Sequence, residues 1–490
     1  MLDRFALFGS NRTMKSRSER RAQGTLGVVM RDGKLIDEGI FRDPKLERLD
    51  AYYESRQYAN LVAWEEGACA EPPVPIRKRQ PRLIIPFSKT LAQRVTAKLV
   101  GDSVFPELMV YDSPDDQEFF QAVVRESEMK TFLLEPTRRM LNTGEVFVRF
   151  WIEAGVYRKK WYNAKYCYPK FQPNGELELV TIKYVYDDHD DKDENGKPIK
   201  KWYKLELGTD SEVLYDNPEY EPGVTPEFVE TGRVDHGLGF VQGEWMTTTG
   251  EEKGYGLTED ITSFIDELNY SLSQSSTAVS YNQDPQLYFK NLTEEETAAV
   301  IRSAMKSWNL GRDGEAGFLE SNLNGVSTAM DLRDKMRLNV QDITRIVLLD
   351  PDKIVGQATS AKAMEVLHGP LKDLIDEIRG PIGKTIRKLT IKMGIAAIMG
   401  EKQGIQSPII LPPGYQPMNM NIELDWPPMF QQTIEDLQKK VAVAVQAAGA
   451  SIISRRTALE YLAKDFGVVD LDEEQAKIDA QPVINPFGAF

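Results

Sequence analysis

The sequence has very little of the residues that most often carry metal or redox chemistry. Its 490 residues include two cysteines and three histidines. Cys69 and Cys167 are too few for a disulfide framework or a cysteine-ligated zinc cluster, which fits a reducing cytoplasm. The histidines do not follow the HExxH spacing of zinc hydrolases, and no GxSxG serine accompanies them. These shortages argue against a disulfide-stapled secreted domain and against a metal or serine hydrolase.

Long apolar runs and an excess of basic residues are also missing. No stretch approaches the roughly 20 apolar residues of a membrane span, and no signal-length apolar run follows the basic N-terminal residues, so export is not indicated. Sixty Lys and Arg face seventy-five Asp and Glu, which leaves a net charge of −15. A generally basic surface that coats nucleic acid is therefore excluded, and any DNA contact must be local.

Two short motifs resemble ligand sites but lack an essential member. Gly383-Lys384-Thr385 matches the end of a phosphate-binding loop, yet position 378, where that motif needs Gly, is Ile. The run from Asp191 to Gly196 matches the first half of a calcium loop, but its twelfth position is Trp202 instead of Glu. We therefore predict a helix at the first motif and a solvated hairpin tip at the second. We predict no cofactor, no metal and no enzymatic activity.

One segment mixes aromatic and basic residues: Tyr157, Trp161, Tyr162, Tyr166, Tyr168 and Phe171 with Arg158, Lys159, Lys160, Lys165 and Lys170. This composition is typical of single-strand nucleic-acid platforms, in which bases stack on rings and phosphates meet cations. It is also typical of half-buried strands whose rings pack inward and whose lysines face water. The acidic chain and the flanking strand-like runs favour the second interpretation.

The segment from 144 to 207 has the composition of antiparallel strands. Runs at 145–152, 177–186 and 199–207 are rich in branched and aromatic residues. Asn174-Gly175 and Asn195-Gly196 separate these runs and predict type I′ turns. We predict a β-meander here, and a helix from Ser88 to Val100 ahead of it.

The pattern becomes helical after Gly256. Thr258 is predicted to cap a helix that Pro285 ends, and a second helix is predicted from about Thr328 to Val347. Between them lies a small mixed insertion with a strand at 286–290 and a helix that begins near Thr293. Because an insertion between two antiparallel helices is displayed at their far end, we expect it to be a docking element.

The longest apolar stripe runs from Met364 to Met393 at helical spacing. Pro370 and Pro381, each preceded by Gly, are predicted to kink this helix twice. Stripes of this length predict helices that neighbouring subunits cover. Shorter helices follow, one of them bracketed by Ser454 and Gly467 as start and stop signals.

The order of these elements, from about Arg82 to Ile478, resembles that of the portal proteins of tailed bacteriophages. Tyr255 to Asn269 is similar to the family's first stem helix, and Gly356 to Ala361 is similar to the exit of its tunnel loop. Ile453 to Leu462, followed by Val469 to Glu474, is similar to its C-terminal signature.

The resemblance implies an α+β portal-protein fold with a helical stem and crown, a β-rich wing and a small α/β clip. The expected parts are a loosely ordered arm over 1–45, the wing over 46–255 with 400–428 returning to it, the first stem helix over 256–284, the clip over 285–327, the second stem helix over 328–348, the tunnel loop over 349–360, a long kinked wing helix over 361–399, and crown helices with a C-terminal tail over 429–490.

The resemblance further implies a dodecameric ring at one capsid vertex of the virion, assembled in the host cytoplasm. Such a ring conducts double-stranded DNA during packaging and ejection. Its expected partners are the terminase large subunit, a head-completion adaptor and tail proteins, and the major capsid and scaffolding proteins; no membrane is expected. Two alternatives stay open: a non-portal ring protein of the tail or baseplate, and a nucleic-acid enzyme of the packaging apparatus.

The residues expected to face DNA lie in the predicted tunnel loop: Asp350, Asp352, Lys353, Ile354, Val355, Gly356 and Gln357. Two aspartates and one lysine give each loop a charge of about −1, so it cannot hold phosphates tightly, which suits passage of the duplex. Lys353 either meets a phosphate or pairs with a neighbouring aspartate, and both interpretations stay open.

Overall fold

The computed structural model describes residues 28–31, 34–37, 41–111, 113–222, 224, 226–283, 286–291, 315–319, 324–346, 368–410, 415–429, 434–463, 466, 468 and 471–480. The described chain divides into a larger unit, which ends at Pro427, and a smaller unit of the C-terminal helices.

The helices, in chain order, are α1 (Pro44–Tyr53), α2 (Trp64–Cys69), α3 (Phe87–Leu99), α4 (Pro114–Glu126), α5 (Met129–Phe132), α6 (Leu134–Thr143), α7 (Thr262–Gln283), α8 (Asn324–Thr344), α9 (Gly369–Lys402), α10 (Ile434–Gly449), α11 (Arg455–Ala463) and α12 (Leu471–Ala480). The strands are β1 (Val28–Arg31), β2 (Lys34–Asp37), β3 (Glu107–Met109), β4 (Glu145–Glu153), β5 (Val156–Asn163), β6 (Cys167–Phe171), β7 (Leu177–Lys192), β8 (Pro198–Gly208), β9 (Ser211–Tyr215), β10 (Glu230–Asp235), β11 (Gly243–Thr247), β12 (Gln286–Lys290), β13 (Glu315–Leu319) and β14 (Glu423–Asp425).

Two antiparallel sheets form the centre of the larger unit. One has the strand order β10-β9-β8-β7-β6 and the other has the order β11-β4-β5. Phe147 and Trp245 of the smaller sheet pack against Val180, Ile182 and Leu205 of the larger one. The predicted meander is confirmed for the runs at 177–186 and 199–207, which are β7 and β8, but the run at 145–152 is β4 and belongs to the other sheet. Alternate residues of the strands bury into the apolar layer between the sheets.

The two hairpin turns of the meander have a different geometry from the predicted one. A type I′ turn needs positive φ at both central residues, whereas here Gly175 (φ 80°) and Gly196 (φ 75°) are left-handed and the preceding asparagines are not. The Gly175 amide donates to the Gln172 carbonyl at 2.8 Å. Each turn is thus a type I turn closed by a left-handed glycine, and the type I′ prediction is wrong.

The first long helix does not begin as predicted. Thr258 forms no capping hydrogen bond. Its side chain is buried, with its hydroxyl 3.5 Å from the Asn142 amide oxygen, so packing takes precedence over capping. Residues Glu259–Ile261 form a short 3₁₀ turn, and α7 follows it directly. The helix predicted from Ser88 is confirmed as α3.

The longest helix, α9, buries most of the predicted apolar stripe: Leu371, Ile378, Ile382, Ile386, Leu389 and Met393. Leu374, also predicted in the stripe, is half-buried, and Ile375 is buried in its place. The larger unit covers this stripe, so α9 does not need a neighbouring subunit. Pro370 lies in the first turn, where a missing amide breaks no hydrogen bond, and the kink predicted there is wrong. Met364 lies outside the described residues.

The folded body starts earlier than the predicted arm boundary at residue 45. Phe41 is buried against Val185 and Trp202. Arg42 forms an ion pair with Glu145. Within the same predicted arm, β1 and β2 form an antiparallel hairpin. At the other end of the unit, β14 pairs with β3 and returns the chain to the body.

Candidate functional site

The seven residues predicted to face DNA, from Asp350 to Gln357, lie outside the described residues, as does most of the predicted clip. Their flanks are described. Arg345, just after α8, forms a 3.0 Å ion pair with Glu377 of α9. The two helices that flank the predicted tunnel loop in the chain therefore contact each other through an exposed ion pair, which contributes little stability.

The helices α7 and α8 pack along each other, and a strand pair joins their far ends. In that pair Gln286 lies opposite Leu319, and the strands run antiparallel. Because α7 leads into β12 and β13 leads into α8, the two helices must run in opposite directions. The insertion is thus carried at the end of a helical pair, as predicted.

A segment before α3 holds the first half of α7 through hydrogen bonds to one side of the helix. Asn269, Ser273 and Thr277 follow each other at intervals of four residues and so share a face. The Asn269 amide oxygen accepts from the Ile85 amide at 2.9 Å, and the Ser273 hydroxyl accepts from the Leu83 amide at 3.0 Å. The Thr277 hydroxyl accepts from the Trp64 indole at 3.2 Å. The polar residues of α7 therefore have a structural partner on this side.

The start of α7, here called its root, is joined to α1 and to the segment after it through a half-buried carboxylate. Asp266 accepts from the Tyr52 hydroxyl at 2.7 Å and from the Tyr58 hydroxyl at 2.5 Å. Burial and the hydrogen bond to Asp266 raise the pKa of both tyrosines, so they stay neutral donors. On the next turn the Tyr270 hydroxyl donates to the Arg79 carbonyl at 3.0 Å. The helical pair is fixed to the body by directional contacts as well as by apolar packing.

A buried ionic cluster lies behind this root, between α1, α6 and the end of β5. Lys165 donates to Glu47 and, at 2.7 Å, to Asp50. Asp50 also accepts from Arg139 at 3.1 Å. Burial alone would raise the pKa of Asp50, but the charges of Lys165 and Arg139 outweigh it and hold that pKa at about 2. Burial raises the pKa of Glu47.

A second buried ion pair joins the two sheets. Arg149 of β4 donates to Glu212 of β9 at 2.5 Å, and both side chains are almost completely covered. Burial disfavours the charge on Arg149, but Glu212 outweighs that effect and raises the pKa of the guanidinium. Separating the two sheets, or removing either side chain, would leave a buried charge without its partner, which is strongly unfavourable.

The aromatic and basic segment over 157–171 forms half-buried strands, as the favoured interpretation predicted. Tyr157 and Tyr162 are buried. The expectation that its lysines face water is wrong for Lys165, which is the centre of the ionic cluster. Sequence reasoning missed this residue because its acidic partners lie more than 100 positions earlier in the chain. The position of Lys165 close to Tyr162, Tyr166 and Tyr168 in the sequence was the one local sign that it could be buried.

The phosphate-loop-like motif and the calcium-loop-like motif lie in the elements predicted for them, a helix and a hairpin tip. Gly383-Lys384-Thr385 lies inside α9. The acidic run up to Gly196 is an exposed hairpin tip, in which Asp193 accepts from the amides of Asn195 and Lys197. Within the described ranges, no group of His, Cys, Asp and Glu is arranged to hold a metal ion. No helix in that part of the chain is long and apolar enough to cross a membrane.

The family model described as "Phage portal protein, SPP1 Gp6-like" matches residues 32–481, nearly the whole chain. The chain belongs to this portal protein family. Membership confirms the α+β portal fold predicted from the sequence, and it favours the portal interpretation over both alternatives. The portal family is structural and not enzymatic, which agrees with the prediction that the chain is not an enzyme.

Comparison with other proteins gives weaker similarities. No curated protein matches the chain. The structure "Neck of native GTA particle computed with C12 symmetry" is 11% identical, with a TM-score of 0.36 over 76% of this portal chain and 89% of that one. "Neck of empty GTA particle computed with C6 symmetry" is 12% identical, with a TM-score of 0.39 over 91% of this chain and 99% of that one.

Proposed function

We propose that this portal-family chain forms a closed ring of twelve copies at one capsid vertex of a tailed bacteriophage, and that double-stranded DNA passes through the ring during packaging and ejection. The observation that carries the proposal is the antiparallel pair α7 and α8, which is rooted in a rigid body by Asp266 and Asn269 and carries an insertion at its far end. This pair corresponds to the stem, the sheets to the wing, and the C-terminal helices to the crown.

The outer surface of α8 supports closure by neighbouring subunits. Leu332, Leu338 and Ile343 are exposed on this helix, although large apolar side chains gain free energy from burial. In a ring, the helical pair of the next subunit covers them. Twelve copies of 55.5 kDa give a particle of about 670 kDa. Mass photometry and negative-stain images of the purified chain should show this mass and a central hole. A monodisperse monomer, even with scaffolding and capsid proteins present, contradicts the proposal.

The clip, over 285–327, is proposed to dock first the terminase large subunit and then the head-completion adaptor. Its position at the end of the stem exposes it to both. Replacing the segment between Gln286 and Leu319 with a short linker should leave ring formation intact and abolish terminase binding in a pull-down. Normal terminase binding by this variant contradicts the assignment.

The tunnel loop over 349–360 is proposed to touch DNA as it passes, with Asp350, Asp352, Lys353 and Ile354 to Gln357 at the surface. Lys353→Glu should leave the rings intact and reduce the length of DNA packaged or its retention, because phosphate contact becomes repulsion. A second variant replaces Ile354 to Gln357. If rings of both variants package full-length genomes at the normal rate, the loop is not a DNA contact.

A further inference from the structure

The hairpin of β7 and β8 ends in an acidic projection. Residues 187–194, here called the acidic finger, contain six Asp and Glu. Lys192 and three lysines of the paired strand, Lys197, Lys200 and Lys201, offset part of this charge, so the projection keeps a net charge of about −2. Val185 and Trp202 are the last buried pair of the hairpin, and a strand rises about 3.3 Å per residue, so the finger extends about 15 Å beyond them. Asp193 fixes the turn by accepting two backbone amides. The negative charge is therefore presented on an ordered arm.

A basic surface of comparable size lies at the root of α7. Residues 76–83, here called the basic strap, contain Arg77, Lys78, Arg79 and Arg82 and no acidic residue. The Tyr270 hydroxyl holds the strap through the carbonyls of Arg77 and Arg79, and Ser273 holds its end through Leu83. Lys78 and Arg82 are exposed. An open cavity of about 380 Å³ lies beside Arg82, between Trp64 and Pro81.

The finger and the strap are different surfaces of one subunit, and each has charged partners of its own. Lys201 pairs with Asp188 and Asp191 in the finger, while Arg77 pairs with Glu267 and Arg82 lies 3.8 Å from Glu65 at the strap. A closed ring needs this arrangement, because each head-to-tail contact uses two different complementary patches of the same chain. Subunits that each carry −15 also repel one another at long range. Local patches of opposite charge offset this repulsion and select the register of the contact.

We propose that the acidic finger of one subunit docks on the basic strap of its neighbour. The proposal rests on the ring proposed above. Ile76 and Leu83, both exposed, flank the basic residues. A protein partner can cover these apolar side chains and gain free energy from their burial, whereas contact with DNA phosphates leaves them in water.

The test is a charge reversal with rescue. The strap variant is Lys78→Glu with Arg82→Glu, and the finger variant is Asp190→Lys with Glu194→Lys. These four side chains are exposed. The finger changes avoid the turn of Asp193 and the pairs of Lys201 with Asp188 and Asp191, and Arg82→Glu removes only an exposed 3.8 Å contact with Glu65. Each variant alone should lower the ring fraction about tenfold in mass photometry at 150 mM salt, because like charges then meet at every contact of the ring. Combining both variants should restore the rings.

The matched control is Arg125→Glu with Lys170→Glu. It changes the net charge of the chain by the same amount as the strap variant does, but at two exposed residues outside the strap. This control should assemble normally, and circular dichroism should show all variants folded. Wild-type rings together with unaffected single variants overturn the docking proposal and leave the portal function intact. Loss without rescue also overturns it. In that case, weaker duplex binding by the strap variant assigns the strap to DNA. A wild-type chain that never forms rings overturns both proposals.

Discussion

The two units of the chain differ in how they bury apolar surface. The larger unit encloses complete clusters, with residues such as Ile182 and Phe147 fully covered. In the described part of α10, α11 and α12, the buried side chains are those of Ala444 and Ala463, while Ile452 is 76% exposed. The larger unit is therefore stabilised inside one subunit, whereas the described C-terminal helices leave their larger apolar groups available to other surfaces.

The largest effect is expected from the ionic cluster. Lys165→Met leaves Glu47 and Asp50 buried without their nearest cation, so the free energy of unfolding should fall by about 3–5 kcal/mol. Urea denaturation followed by fluorescence measures it. The matched control is Lys170→Met, whose partner Glu178 is also exposed and whose loss should cost less than about 1 kcal/mol. Equal losses in the two variants contradict a buried charge network.

Two isoleucines, one in each unit, compare directly how much stability a buried and an exposed side chain contribute. Ile182→Ala in β7 opens a cavity in the core and should cost about 2–5 kcal/mol. Ile452→Ala, between α10 and α11, should change the stability of the isolated subunit by no more than about 0.5 kcal/mol, because the side chain is already exposed. Thermal unfolding of the non-assembled chain compares them. A large cost at Ile452 would show that the crown has a core of its own.

Asp50 is expected to make the free energy of unfolding of the larger unit depend on pH. Its pKa is about 2 in the folded chain, below the value of about 3.9 in unfolded chains. This depressed pKa contributes about 2–3 kcal/mol of stability, which is complete above about pH 5 and is lost as the pH falls towards 2. Unfolding free energies at pH 6, 4 and 3 should show this loss in the wild type and a smaller loss in Asp50→Asn. Parallel pH profiles would assign the acid sensitivity to other carboxyl groups.

The smallest predicted effect is on the local stability of α11, in the smaller unit. The Ser454 hydroxyl accepts from the Thr457 amide at 3.0 Å and so caps α11. Ser454→Ala should cost about 1 kcal/mol of local helix stability, and Ser454→Asp should restore it. Hydrogen exchange of the α11 amides measures this loss of helix stability, whereas exchange in the larger unit should not change. Faster exchange of amides of the larger unit in Ser454→Ala would show that its stability depends on α11.

Local signals predicted most of the elements. The alternation in β7 and β8, the stripe of α9 and the cap at Ser454 each depend on residues within a few positions, and the structure confirms all three. The turn type at Gly175 was missed because Asn-Gly is compatible with more than one turn. The predicted cap at Thr258 failed because a contact with Asn142 competes for its hydroxyl.

The sequence by itself determined the class of this protein through its resemblance to portal proteins, which is carried by the order of helix, insertion, helix and long helix. Its acidic composition argued only against a basic surface that coats nucleic acid. Only the tertiary structure decided which charges are buried and which are displayed. Lys165 and Lys78 look alike in sequence, yet one is enclosed by Glu47 and Asp50 and the other lies on an exposed strap. The reason is physical, since burial and pairing depend on neighbours that the fold brings from distant positions.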